Sequence, residues 1–470
     1  MNRNSCVSLY YGVVWVRRIV CVCQIYYTVL IMSKSIKILI GFLFGFNLTI
    51  VGQEAKRMSL SELFELASEQ NPDIGVANAK IAVSKQTESV AKNAYLPQIS
   101  ASLTLSYLGD GTILDRDFRN IRRDPLPHFN NNLGLEVYQP IYTGGAIYSG
   151  VKASKIGTQL AETDKLKAEN SVRMSIVTNY LELAKHNNLL KVFDDNIRLT
   201  EQLIEEMKTK HSEGIVLGND ITRYELRLSS ISYDRLATRN AIDICNSNLL
   251  TLLGMKSEMR ILPNIEVDSI AIVDSVMQKW IQLAAENAPS LESLSLRSDL
   301  EQLNRKITHS EYLPKIGIVA GDSFNGPVTF EVPALNKNYN AWFVGINIKW
   351  NISSLFCTSK ATKKHELELF QIRRQKETVE SNLNREIYEA LTLYNQSVDR
   401  LVIEQKNLQL ANENYGIVSN RFENGLALLT DMLDASNARL DAGVRLVNAE
   451  ISTRYYYYLL HYIAGTISKL

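Results

Sequence analysis

The sequence has little cysteine and lacks the common catalytic signatures. Five cysteines occur in 470 residues, and three of them lie near the N-terminus. The other two, Cys245 and Cys357, show no CxxC or Cys/His spacing, so we expect two buried apolar thiols. Walker A, dinucleotide-binding, HExxH and GxSxG motifs are absent from the sequence. The sequence therefore predicts neither an enzyme nor a protein with a cofactor or a metal site.

The sequence also lacks an excess of charge of either sign. The chain carries 51 basic and 50 acidic residues, for a formal net charge of +1. A net charge this close to zero gives no indication of binding to nucleic acid or another polyanion. The six histidines are scattered along the chain, which is typical of surface and coiled-coil positions. We therefore expect no nucleic-acid partner.

One apolar run, residues 38–51, is short for a membrane-spanning helix, which needs roughly 20 residues. Lys34 and Lys37 precede this run and Gly52 follows it. This is the pattern of a secretory signal peptide, which we assign to residues 32–52. Residues 1–31 match nothing downstream and are interpreted as a spurious N-terminal extension. The remainder of the chain is predicted to be secreted.

The remainder contains an internal duplication. The segment Phe422–Asp434 has an earlier counterpart, in which Gly214 matches Gly425 and Asp220 matches Asp431. In each copy the glycine can adopt the left-handed conformation that ends a helix. Asp431 and the threonine before it supply N-cap chemistry for the next helix. Each copy is thus predicted to be a helix–turn–helix tip, and two copies indicate a repeated architecture.

The two repeats are predicted to cover residues 53–273 and 274–470, with the same order of elements. In the first repeat, hydrophobic periodicity predicts a helix at 59–93, a strand at 98–107, a loop at 109–131, a strand near 133–141, a helix at 146–213 and a helix at 221–253. The helix after the second strand would be roughly 100 Å long and needs coiled-coil partners. Residues 255–273 are predicted to be irregular. The fold class is mainly α with a small β contribution.

The alternating strands indicate sheet faces that meet two different media. Two strands per repeat give four per chain, whereas the smallest membrane barrels use about eight. An open sheet in lipid would leave backbone groups unpaired, so several chains would have to share one barrel. This reasoning predicts a conduit through the outer membrane and periplasm. The alternative is a secreted coiled-coil structural or adhesin-like protein without channel activity.

Two motifs resemble those of the TolC family of outer-membrane efflux proteins. The segment from Gln139 and Pro140 to Gly144 and Gly145 resembles the family's strand-to-helix turn, and Phe422–Asp434 resembles its periplasmic tip. The resemblance implies a homotrimer with a twelve-stranded barrel and an α-helical tunnel, located in the outer membrane and extending into the periplasm. It also implies a periplasmic adaptor protein and an inner-membrane transporter as partners. The chain would be the exit duct of a tripartite efflux or type I secretion system.

The resemblance also implies roles for residues at the tips. The residues expected at the periplasmic aperture are Asp431, Asp434, Asp220 and Phe422. Those expected at the tip turns and the adaptor contact are Gly214, Gly425, Leu217 and Leu428. For Asp431 the alternative is a helix cap alone, and for Asp220 it is a helix cap or a contact between helices. Ala427 stands where well-known family members carry an arginine, so the closed state is expected to be held differently.

Overall fold

The computed structural model describes residues 55–255, 259–264 and 276–470. The predicted extension and signal peptide, residues 1–52, lie outside the described residues. The described α-helices are α1 (Leu60–Gln70), α2 (Pro72–Lys92), α3 (Ala146–Ser212), α4 (Gly218–Leu252), α5 (Met277–Asn287), α6 (Pro289–His309), α7 (Ser354–Glu423) and α8 (Leu429–Ile463). The described strands are β1 (Ala55–Met58), β2 (Gln98–Tyr107), β3 (Gly111–Ile113), β4 (Arg122–Asp124), β5 (Phe129–Tyr142), β6 (Arg260–Pro263), β7 (Lys315–Gly326) and β8 (Tyr339–Lys349).

The helical segment predicted at 59–93 is divided at Asn71 into α1 and α2. Ser59 caps α1 in a capping box with Glu62. Asn71 caps α2 through its side-chain oxygen, which accepts from the backbone N–H groups of Asp73 and Ile74. The same Asn71 side chain donates to the carbonyl of Leu252 at 2.7 Å, which ties this corner to the end of α4. The break therefore fixes α1 and α2 against the helix that returns from the first tip.

The two long helices are stabilised by lateral packing. α3 has 67 residues and α7 has 70, so each is roughly 100 Å long. α3 contacts helices of both halves, namely α1, α2, α4, α6 and α8, while α7 contacts α5, α6 and α8. Ile176, Tyr180 and Leu183 lie one turn apart on α3 and are almost completely buried. The predicted requirement for coiled-coil partners is therefore met within one chain, because helices of the two halves pack side by side.

Among the described helices, none contains an apolar stretch of the length needed to cross a bilayer.

Four strands form one antiparallel sheet in the order β2-β5-β7-β8. The pairing register places Ile99 opposite Val137, Val137 opposite Ala320, and Ala320 opposite Val344. The odd-numbered apolar residues of β2 and β5 thus share one face with the even-numbered residues of β7 and β8. Apolar side chains on this face are highly exposed; Ile346, for example, is 73% exposed. Within the described residues, no further strand pairs with the outer edges of β2 and β8.

Two predictions about loop segments were wrong. The loop predicted at 109–131 contains the short antiparallel pair β3–β4. The segment predicted to be irregular after α4 contains β6, which pairs in parallel with β1. The hydroxyl of Tyr180 on α3 holds this ribbon, because it donates to the carbonyl of Met58 and accepts from the N–H of Asn264, both at 2.9 Å. Burial raises the pKa of Tyr180 to about 12, so the hydroxyl keeps its proton.

The expectation of two buried thiols was also wrong in part. Cys245 is half-buried and packs against the main apolar cluster, whereas Cys357 is exposed near the start of α7. A helical pattern alone did not reveal which side of α7 faces a neighbouring helix.

Two glycines close the return helices in the same way. Gly254 follows α4 with φ 66° and Gly465 follows α8 with φ 71°. A Cβ at Gly254 would overlap the backbone carbonyl of Gln70 at the end of α1, and a Cβ at Gly465 would overlap that of Asn287 at the end of α5. Each half therefore docks its return helix against its own first helix through a glycine contact.

The contact at Gly465 should be more sensitive to substitution than the turn at Gly425. Gly425 also has a positive φ of 72°, but a Cβ there would meet no atom within 4 Å. Gly425→Ala should therefore cost only the backbone strain of about 1–2 kcal/mol. Gly465→Ala should cost about 1–3 kcal/mol more, because the backbone of Asn287 must move. Thermal unfolding of the two variants and the parent, followed by circular dichroism, measures the difference. Equal losses in the two variants would contradict this interpretation.

Candidate functional site at the helical tips

The first tip is a tight turn between α3 and α4. Gly214 adopts φ 75°, and its N–H donates to the carbonyl of His211 at 2.9 Å. The N–H of Ile215 donates to the carbonyl of Lys210 at 2.9 Å, so the last turn of α3 is closed by backbone bonds. α4 then begins after the N-cap residue Leu217, whose side chain supplies no hydrogen bond. Gly214 thus has the left-handed conformation predicted at this turn.

The second tip repeats this geometry between α7 and α8. Gly425 adopts φ 72°, and the N–H of Leu426 donates to the carbonyl of Arg421 at 2.7 Å. α8 begins at Leu429 with Leu428 as its N-cap. The prediction that Asp431 and the threonine before it form the N-cap was therefore wrong. Asp431 acts from the third helical position, where its carboxylate accepts from the N–H of Leu428 at 3.0 Å. Only one of the two hydrogen bonds of a capping box is therefore formed, because the leucine side chain has no acceptor for the second.

The two tips form one packed unit around a shared apolar cluster. Met207, Tyr224, Phe422 and Met432 are buried there, one from each of the four helices that meet at this end. The Lys210 ammonium lies 4.9 Å from the centre of the Phe422 ring, which adds a cation–π contact. Phe422, predicted to lie at the aperture, is thus also a core residue of the tip within a single chain.

Tyr224 joins the two tips through its hydroxyl. The hydroxyl lies 3.5 Å from the carbonyl of Leu429 at the start of α8. Burial raises the pKa of Tyr224 above its ordinary value, and the nearby Tyr415 and Asp434 add to the rise. The phenol therefore remains a neutral donor beside the acidic surface. The sequence analysis predicted only a helix over this segment. The signal that Tyr224 belongs to the tip was its position about two turns after the N-cap residue Leu217.

The structure brings several of the predicted tip residues together. A cleft of about 410 Å³ between the tips is lined by both turns, including Asp220, Phe422, Gly425 and Leu428. Asp220 is half-buried at its rim, whereas Asp431 and Asp434 are exposed on α8. The acidic groups therefore lie at the outer end of the helices, where they can attract cations or another chain.

Four exposed apolar side chains cover the ends of the turns. Leu217 and Leu428, predicted as contact residues, are 72% and 69% exposed. Ile215 and Leu426 are each 69% exposed and were missed by the sequence analysis. Their positions could have been identified from the sequence, because Ile215 and Leu426 each directly follow a turn glycine. Exposed apolar groups beside a cleft are typical of an interaction surface.

The predicted strand-to-helix turn lies far from the tips, at the opposite end of α3. The Gln139 side-chain amide donates to the carbonyl of Tyr95 at 3.0 Å, and the pairing of β5 is bulged just after Pro140. Gly144 adopts φ 64°, and a Cβ there would press on the backbone of Ser310 in the second half. Gly145, with φ 85°, is the N-cap of α3. These residues form a structural joint between the halves and are not part of the tip site.

Comparisons with known proteins agree with this architecture. The chain is 20% identical over 417 residues to the outer membrane protein TolC of Vibrio cholerae serotype O1, covering 87% of this chain and 91% of the relative. The structure of the outer membrane protein VceC of Vibrio cholerae matches with a TM-score of 0.70 at 16% identity, over 86% of this chain and 96% of that one. The outer membrane channel CmeC of Campylobacter jejuni matches with a TM-score of 0.71 at 16% identity, over 87% and 86%.

The family assignment rests on the sequence itself. The profile of the outer membrane efflux protein family matches residues 63–255 and 280–455, which include both tips, all four strands of the sheet and both long helices. The chain therefore belongs to the outer membrane efflux protein family.

Proposed function

We propose that the protein is the exit duct of a tripartite efflux or type I secretion system. It would pass substrates from an inner-membrane transporter through the periplasm and the outer membrane. The observation that carries this proposal is the exposed apolar face of the four-stranded sheet, which continues directly into two helices of roughly 100 Å. Membership of the outer membrane efflux family favours the same function. The proposal needs no catalytic residue and no cofactor.

The open sheet supports assembly into a trimer. Within the described residues, β2 and β8 each have one unpaired edge, and unpaired backbone groups are costly in lipid. Pairing β8 of one copy with β2 of the next would remove both edges. Three copies would give a twelve-stranded barrel whose apolar face contacts outer-membrane lipid. The helices of three copies would then surround a tunnel in the periplasm.

The tips support a narrow acidic mouth at the periplasmic end. In a trimer, Asp431 and Asp434 would contribute six carboxylates around the axis, with Asp220 and Phe422 at the neighbouring tip. Repulsion between like charges would be relieved by bound cations, so the mouth would favour cation passage. Exposed Leu217 and Leu428, beside the turns at Gly214 and Gly425, supply the apolar surface for a periplasmic adaptor.

A secreted coiled-coil structural protein is the weaker candidate. It would account for the long helices and their lateral packing. It would leave the apolar sheet face exposed to water, which soluble proteins avoid over a patch of this extent.

The lipid contact is tested by placing a charge on either face of β8. Ile346→Lys puts the charge on the apolar face, whereas the neighbouring Asn347→Lys puts it on the opposite face. A lysine facing lipid destabilises a membrane barrel by up to about 2–4 kcal/mol, depending on its depth, so Ile346→Lys should weaken the membrane-embedded oligomer and Asn347→Lys should not. The midpoint of urea dissociation in lipid vesicles measures this. Equal midpoints in both variants would remove the assignment of the lipid face.

The acidic mouth is tested by single-channel recording in a planar bilayer. Asp431→Asn/Asp434→Asn should reduce the preference for K⁺ over Cl⁻ by at least about twofold, because the carboxylates no longer attract cations. Glu377→Gln/Glu380→Gln is a matched control, with the same spacing and charge change on exposed positions of α7 far from the tip. Selectivity that falls equally in the control would locate the filter elsewhere. A folded oligomer that forms no channels would contradict the duct itself.

A further inference from the structure

Three potential metal ligands converge between α6 and α7, away from the tips and the sheet. They are Glu301 on α6 and His365 and Glu368 on α7, and their ligand atoms all lie within 4.8 Å of one another. His365 Nδ1 is hydrogen-bonded to Oε1 of Glu301 and lies 3.3 Å from Oε2 of Glu368. The side chains of His365 and Glu301 are only 15% and 13% exposed. The cluster is therefore sheltered between two helices.

Each of the three side chains is oriented by a second partner on its outer atom. The other ring nitrogen of His365, Nε2, lies 2.9 Å from the hydroxyl of Thr308. The other oxygen of Glu301 accepts from the Asn304 amide at 3.2 Å. These contacts leave Nδ1 of His365 and one oxygen of Glu301 directed at each other.

Glu368 is arranged in the same manner. Its outer oxygen, Oε1, lies 3.4 Å from the ammonium of Lys364, and its inner oxygen, Oε2, faces His365. Outer contacts of this kind are typical of metal ligands, because they set the histidine tautomer and fix the carboxylates. Metal binding would replace the hydrogen bond between Nδ1 of His365 and Glu301. With the single ring proton on Nε2, which donates to the Thr308 hydroxyl, Nδ1 is available as a ligand.

We propose that Glu301, His365 and Glu368 bind a divalent transition-metal ion of the zinc class. One imidazole nitrogen and two carboxylate oxygens are the donors that Zn²⁺ accepts, with water as the fourth ligand of a tetrahedron. Mg²⁺ and Ca²⁺ prefer oxygen donors alone and would bind less well. The ion would join α6, which leads into β7, to α7, which follows β8. This site is independent of the proposed transport function.

The fold does not require this cluster. Pro72 and Pro289 are the first residues of the equivalent helices α2 and α6. Ser84 occupies the position in α2 that Glu301 occupies in α6. The positions of His365 and Glu368 can be compared by their distance in sequence from the tip glycine Gly425. At the same distances before Gly214, the first half has Ser154 and Gly157. The corresponding helices α2 and α3 nevertheless pack together. The three ligands are thus an addition to the second half, as expected for a binding site.

The test is metal binding by the mature protein, purified as the folded oligomer in detergent, without a histidine tag, after treatment with a chelator. Isothermal titration with ZnCl₂ should show one ion per chain. CoCl₂ should give the intense visible absorption of tetrahedral Co²⁺, while MgCl₂ and CaCl₂ at the same concentrations should give no comparable binding. Glu301→Gln and His365→Gln should each weaken Zn²⁺ binding by at least about tenfold.

Glu366→Gln is the matched control, because Glu366 lies between two of the ligands in sequence but pairs with Lys363 and Arg305. It should leave the Zn²⁺ affinity within about twofold of the parent. If His365→Gln does not fold, Glu368→Gln provides the same test at the more exposed ligand. Binding that is unchanged in the ligand variants, or no binding by the folded parent, would overturn the proposal and leave the cluster as a hydrogen-bonded contact between α6 and α7.

Discussion

The antiparallel pairing of β5 with β7 is the interaction on which the rest of the structure depends. It is the only direct strand contact between the halves within the described sheet, and its register runs from Asn131 opposite Gly326 to Tyr142 opposite Ile316. Because side chains alternate along a strand, this register decides which residues of both halves share a face. A shift by one residue would interrupt the exposed apolar surface. The pairing also sets the points from which α3 and α7 leave the sheet.

The turn at the end of β5 positions α3 relative to the sheet. Proline lacks an N–H group, and the ladder is bulged immediately after Pro140. Gly144 then passes close to the backbone of Ser310 before α3 begins. From there, packing of α3 against α2, α4, α6 and α8 keeps the helix direction over roughly 100 Å. The positions of the tips are therefore consequences of a contact made at the other end of the molecule.

Much of the candidate site follows from local chemistry. Gly214 and Gly425 could be identified from sequence because positive φ at a helix end strongly favours glycine. The role of Asp431 was less accessible, since both an N-cap residue and a residue three positions later can be acidic. The role of Tyr224 was not accessible from sequence: a helix was predicted at this position, but the contact of the Tyr224 hydroxyl with the carbonyl of Leu429 depends on a helix more than two hundred residues away. The contact between Glu301 and His365 could not be predicted for the same reason, because the two residues lie 64 positions apart in the sequence.

The sequence by itself determined the helices, the four strands of the main sheet, the two tips, the repeated order of these elements, and the alternation that makes each of these strands two-sided. These features depend on residues within a few positions of one another, where periodicity and turn chemistry act directly. Only the tertiary structure decided the pairing of β1 with β6, the exposure of Cys357, the shared cluster beneath the tips and the meeting of Glu301 with His365 and Glu368. Each of these depends on which faces of distant segments meet, and that choice is made by packing and register over the whole chain.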